Sequence, residues 1–217
     1  MGKYFLILAL FAAFIAGCSE QKQQKPEVIK EEEKKAALPD TVIDSDITFD
    51  EALSGDDIPA SVIKDLVLLD VVYHGFDNKI HKGQIVVSKK VQKDVTAIFR
   101  DLFEIKFPVE KVRPVSFYGW DDDRSMRDNN TSGFNYRNVA GTSEKSRHAY
   151  GLAIDINPLL NPYINKSIVQ PSGAVYDTTK AGTIKKNSDV VKIFKKYGWI
   201  WGGDWIPYQD YQHFTKY

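Results

Sequence analysis

The chain has 217 residues, room for one domain plus a leader segment, and its 43% apolar content suffices to bury a core. Its 29 basic residues balance its 29 acidic ones, so there is no bulk basic signal for nucleic acid and no acidic excess. Cys18 is the only cysteine, which excludes an intramolecular disulfide, and neither a nucleotide-binding glycine loop nor an internal repeat is present.

The chain begins with a short basic start, Met1-Gly2-Lys3, followed by an apolar run over residues 4–15 and small residues just before Cys18. This is the layout of a secretory signal. The apolar run is shorter than the ~20 residues of a spanning helix. The ending Ile15-Ala16-Gly17-Cys18 resembles a bacterial lipobox. That resemblance implies cleavage before Cys18, lipidation of its thiol and export to the cell membrane, the outer one if the host has two. An ordinary signal peptide with an incidental cysteine is the competing reading. Residues 18–40 are rich in Lys, Glu and Gln and cannot bury enough surface to order themselves, so they read as a tether. The remaining stretch, 41–217, is expected to form the domain. Its first part, to Pro59, is acidic and is expected to wrap the domain edge.

Val67 to Tyr73 and Gln84 to Val87 read as two strands joined by a turn over 74–79. His74 and His81 lie near this hairpin without a spaced ligand partner, so they read as ordinary hydrogen-bonded histidines. Ser88 is a candidate cap for a helix whose apolar face is Val91, Val95, Ile98, Phe99, Leu102 and Phe103. Phe107-Pro108 should end it. A strand is expected over 112–118, a solvated turn over 119–130 and a strand over 132–137 ending on Arg137. The three aspartates Asp121 to Asp123 lack the ligand spacing of a calcium loop. Leu152 to Ile156 reads as a buried strand, and 157–187 as a long loop of the kind that forms lids or substrate rims. Ser188 caps a last helix over 189–197 that ends at Gly198, and short strands follow at 199–201 and 212–214. The sum is an α+β fold, with a small antiparallel sheet carrying the site residues and helices packed on one side.

The chemistry concentrates in two stretches. His148 and Asp155 sit in an apolar context, where unpaired polar groups are costly. His213 lies near the C-terminus, three residues after Asp210. Two imidazoles and one carboxylate suit a catalytic zinc, one per chain, that keeps a position open for water. Asp210 is the candidate base for that water. Residues seven apart fall on opposite faces of a regular strand. His148 is therefore expected on a loop, with Gly151 marking the change to a strand that carries Asp155.

The pattern Ser146-x-His148-x-x-Gly151-x-Ala153-x-Asp155, together with Asp210-x-x-His213, resembles the zinc D-Ala-D-Ala carboxypeptidase family. That family includes vancomycin-resistance D,D-peptidases and phage L-Ala-D-Glu endolysins. The motif-bearing part spans 112–217. The resemblance implies zinc ligation by His148, Asp155 and His213, Asp210 as general base, and Ser146 hydrogen-bonding near the substrate. It also implies an arginine facing the carbonyl oxygen or a substrate carboxylate, for which Arg137 is the choice and Arg127 the reserve. The implied partners are peptidoglycan stem peptides and, through Cys18, a membrane; the chain is expected to be monomeric and not to bind nucleic acid. Asp204, between glycine and tryptophan, reads as a turn residue or a contact to the substrate amine and not as a metal ligand, while Trp205 is a candidate groove wall. Two rivals remain: a wall-binding module without activity, and a serine hydrolase using Ser146, for which no third triad member is evident.

Overall fold

The structure, a computed structural model, describes residues 40–217. The expected signal segment 1–17, Cys18 and all but the last residue of the 18–40 tether lie outside the described residues. The described chain opens on β1 (Val42–Ile43) and two one-turn helices, α1 (Phe49–Ala52) and α2 (Ala60–Ile63). The expected edge-wrapping stretch is thus partly regular. Thr48 and Glu51 form a capping box at α1, which satisfies two otherwise orphaned N–H groups.

β2 (Leu66–His74) and β3 (Ile80–Ser88) form the expected hairpin, paired from Leu66↔Ser88 to His74↔Ile80, and β1 adds parallel to β3. α3 (Gln92–Glu104) packs on it through Val95, Ile98, Phe99 and Leu102, all buried, at the spacing that puts them on one face. His81 is held between Asp44 (2.8 Å) and Asp77 (3.1 Å), and His74 stacks on Phe103, so both histidines have structural partners.

The middle of the chain departs from expectation in three places. Residues 112–118 are not a strand: β4 (Lys111–Val112) is short, Pro114 stops it, and a 3₁₀ turn follows over Val115–Tyr118. The apolar residues Val112, Val115 and Tyr118 are three apart, the period of that turn. The polar stretch 119–130 contains α4 (Asp122–Arg127), because the Asp121 side chain accepts from Arg124 N and the first-turn aspartates suit a helix N-terminus. Of 132–137 only Ser132 makes a strand-like bridge, to Asp155, just after β5 (Asn130–Thr131), which pairs with β4. The chain then crosses β3 closely, with Phe134 N donating to Val86 O.

β6 (Ala153–Asp155) is the expected buried strand. The long loop that follows contains a hairpin, β7 (Tyr163–Asn165) with β8 (Ile168–Gln170). It is also pinned from within. Asn157 and Asn161 are fully buried, and both side-chain amides donate to Gly182 O, while Asn161 Oδ1 accepts from Ile184 N. α5 (Asp189–Lys196) is capped by Ser188 and runs out at Gly198 in a left-handed conformation. β9 (Ile200–Trp201), β10 (Gln209–Asp210) and β11 (His213–Thr215) complete the chain.

The architecture is α+β, as expected, with several small sheets in place of one. The sheet that matters here is antiparallel, in the order β6-β11-β9. On one face Ile154 and Phe214 enter the main core with residues of α3 and α5, and Phe214 stacks on Phe194 at 3.7 Å. Alternation along the strands then turns Asp155 and His213 to the opposite face. No helix among the described residues is long and apolar enough to cross a membrane.

Candidate metal centre

His213 lies directly across from Asp155 in the β6–β11 ladder. Opposed residues of an antiparallel pair share a face, so both side chains project together. His148 comes from elsewhere, a 3₁₀ turn over Arg147–Tyr150. Gly151 closes that turn with φ +64 and leads into β6. A loop therefore becomes a strand at Gly151, as the seven-residue spacing demanded. A side chain there is excluded twice over, by the left-handed backbone and because its Cβ would lie 2.4 Å from Ser88 N.

The three side chains converge on one point. His213 Nδ1 is 2.9 Å from Asp155 Oδ1, His148 Nε2 is 3.2 Å from Asp155 Oδ2, and the two facing nitrogens are 3.2 Å apart. All three residues are buried. Ligands placed about 2.0–2.1 Å from a tetrahedral ion stand roughly 3.3 Å apart, so this spacing fits a zinc-sized site with little adjustment. His148 Nδ1 donates to the Gly133 carbonyl, which leaves the Nε2 lone pair facing inward. Among the described residues these three form the one cluster able to hold a metal ion.

The electrostatics agree with the donor set. Burial opposes charging His148, but the Asp155 carboxylate outweighs it and raises the imidazole pKa. Burial also works against an ionised Asp155, yet the His148 charge and the histidine hydrogen bonds hold its pKa well below the usual range. A cluster that stabilises positive charge this way is prepared for a cation.

Asp210 sits close enough to the cluster to interact with all three of its residues, and it lies on β10, a separate strand from His213. Its residue is partly exposed, but its Oδ1 is buried and has no hydrogen-bond partner. Burial pushes its pKa up to about 6, with His213 pulling it down and Asp155 pushing it up. Ser146 is buried, and its Oγ accepts from His148 N at 3.3 Å, so it caps the ligand-bearing turn. Arg137 lies near enough to His148 to lower that imidazole's pKa. Its NH2 pairs with Asp122 Oδ2 at 2.9 Å, and its Nε is buried without a partner. Arg127 pairs with Asp123 on an exposed helix face, and Asp204 pairs with Lys195 at 2.7 Å, outside the cluster. Trp205 tilts over His213 at 5.3 Å, with Tyr208 and then Tyr163 behind it.

Gly133 and Asp122 were not singled out from the sequence. Nothing local signals that a glycine carbonyl orients a histidine fifteen residues later, or that a helix-start aspartate holds Arg137.

Residues 140–216 match the model of a protein family described as D-alanyl-D-alanine carboxypeptidase. The match covers less than half of the chain but contains Ser146, His148, Asp155, Asp210 and His213, and it supports a peptidase. Arg137 and everything before it fall outside the matched stretch. No curated protein and no solved structure matches the chain.

Proposed function

We propose that this chain is a zinc-dependent peptidase that hydrolyses peptidoglycan stem peptides, of the D-Ala-D-Ala carboxypeptidase type. The observation that carries this reading is a buried two-histidine, one-carboxylate cluster beside which Asp210 keeps one buried carboxylate oxygen, Oδ1, without a hydrogen-bond partner. Zinc held by His148, Asp155 and His213 would act as a Lewis acid, acidifying water and polarising the scissile carbonyl.

The protein's own groups supply the rest. Asp210, with its pKa near 6, is ionised at neutral pH and can take a proton from the water that attacks the peptide carbon. When the C–N bond breaks, Asp210 returns that proton to the leaving amine. The Arg137 guanidinium, close enough to His148 to lower its pKa, would face the carbonyl oxygen or a substrate carboxylate. Trp205, tilted over His213, would wall one side of the bound peptide in this reading. Ser146 fixes the turn that presents His148. A purely binding module has no use for a buried, proton-accepting carboxylate at this position.

The reading extends to the cell. The chain is proposed to be exported, lipidated on Cys18 and tethered near the wall as a monomer. Loss of membrane association in Cys18→Ala checks the anchor.

Digestion of muropeptides, followed by mass spectrometry, tests the activity. Cleavage lost on chelation and restored by zinc supports the proposal; cleavage that survives chelation overturns it. Asp210→Ala should bind zinc and not cleave. The mass of the fragments separates loss of a terminal D-Ala from cutting between L-Ala and D-Glu, the activity of the endopeptidases that share these motifs.

A further inference from the structure

We infer that Asp122 is the positioning residue for Arg137. Its carboxylate, in the first turn of α4, accepts from Arg137 NH2 through Oδ2 at 2.9 Å and from Asn135 Nδ2 through Oδ1 at 3.0 Å. Asn135 is buried, and its backbone N donates to the His148 carbonyl at 3.2 Å. Arg137 N in turn donates to Asn135 O, and Ser146 N donates to Arg137 O. The crossing segment that bears Arg137 is therefore sewn to the ligand-bearing turn by its backbone, and to α4 by one carboxylate.

That carboxylate does what the backbone cannot. An arginine side chain has several rotatable bonds, and one that is 30% exposed, as Arg137 is, samples many directions unless something holds it. NH1 makes only a longer contact, 3.3 Å to Asn138 O. Asp122 alone among the described side chains forms an ion pair with the guanidinium. It engages NH2, so it fixes the plane of the fork while leaving Nε without a partner. Asn135 keeps the carboxylate from rotating away. The sequence gap of fifteen residues between Asp122 and Arg137 is bridged because the chain, after β5 and the crossing over β3, brings Arg137 back beside the start of α4.

This role rests on the reading that Arg137 faces the substrate, and the test keeps the two apart. Zinc-loaded Asp122→Ala, Asp122→Asn, Asp122→Glu, Arg137→Ala and the Asp122→Ala/Arg137→Ala pair are assayed on a synthetic stem pentapeptide. The peptide begins L-Ala-D-Glu and ends D-Ala-D-Ala. Asp122→Ala should lower kcat/KM about 10- to 100-fold, the size of effect that a misplaced positioning group produces. Asp122→Glu should recover part of it, and the double variant should be no worse than Arg137→Ala alone. Zinc content should stay at the wild-type level in all of them. NMR of the Arg137 Nε–H supplies a readout without substrate: its hydrogen exchange should quicken in Asp122→Ala and in the milder Asp122→Asn. Wild-type kcat/KM in Arg137→Ala overturns the reading of Arg137 itself. An impaired Arg137→Ala beside an unimpaired Asp122→Ala, or losses that multiply in the double variant, overturns the positioning role alone.

Discussion

Asp155 and His213 occupy directly opposed positions of the β6–β11 ladder, and His213 Nδ1 stands 2.9 Å from Asp155 Oδ1. Two of the three residues of the candidate metal cluster are thus aligned by backbone hydrogen bonds and need no loop to find each other. Asp155→Asn keeps the shape and removes the charge. The variant should fold, because an amide can still meet both histidines, but it should lose zinc. Wild-type protein at a zinc concentration 100 times its Kd gains about 2.7 kcal/mol of stability by mass action. Thermal melts with and without zinc should show that upward shift in wild type and none in Asp155→Asn. An equal shift in the variant would remove Asp155 from the ligand set.

Asp210 makes the metal-free protein pH-sensitive. Its pKa is about 6 in the fold against 3.8 for a free aspartate, so between these values the folded state holds a proton that the unfolded chain has released. Stability from this group is complete below 3.8 and declines as pH rises through about 6. Asp155 has the opposite sense: its lowered pKa contributes stability above 3.8 that is lost on acidification. Asp210→Asn removes the first effect and leaves the second. At pH 7.5 the metal-free variant should be more stable than wild type by on the order of 2 kcal/mol, roughly 5 °C in Tm. At pH 4 the difference should shrink toward zero. Equal melting temperatures at both pH values would mean that Asp210 ionises freely.

Two members of the candidate metal cluster stand out in the sequence because each breaks a local rule. His148 and Asp155 put polar groups where the surroundings are apolar, and their spacing required a break that Gly151 supplies. The helix over α3 was legible from a single apolar face. The groups that hold the site were not. Gly133, Asp122 and Asn157 act through contacts with residues far away in sequence, so that Gly133 reads as part of a strand, Asp122 as part of a solvated turn and Asn157 as the start of a loop. The strand expected over 112–118 is replaced because Pro114 stops β4 and the three-residue apolar period suits the 3₁₀ turn that follows. The hairpin β7–β8 was hidden because its strands are three residues each, too short for alternation to register.

Gly151 and Gly141 form a matched pair for testing the turn. Both have positive φ, +64 and +75. An alanine Cβ at Gly141 would meet nothing within 4 Å, whereas at Gly151 it would lie 2.4 Å from Ser88 N and 2.7 Å from the Val87 carbonyl carbon. Gly141→Ala should therefore cost only the left-handed backbone penalty, roughly 1–2 kcal/mol. Gly151→Ala adds a clash with the backbone of β3, which cannot yield without shifting the hairpin or the His148 turn. It should cost more and also lower zinc affinity. Melting curves and zinc titrations on both variants check this, and equal behaviour would mean that the turn tolerates movement.

Asn161 closes the long loop against the strand that carries Asp155. Its Nδ2 reaches Ile156 O, Asn157 O and Gly182 O at 3.0–3.1 Å, and its Oδ1 accepts from Ile184 N at 2.6 Å. The residue is fully buried, so water cannot replace these partners without opening the loop. Asn161→Ala should orphan the Ile184 N–H and weaken three carbonyl contacts, at about 2–4 kcal/mol, several times the cost of a surface asparagine. The loss should be local as well as global. Amide exchange at Ile184 and Thr183 should quicken more than at Phe99 in α3, since the loop separates from β6 before the core melts. Because Ile156 O is one of the released groups and adjoins Asp155, zinc affinity should fall as well. Uniform exchange across loop and core would show instead that the loop and the core open as a single unit.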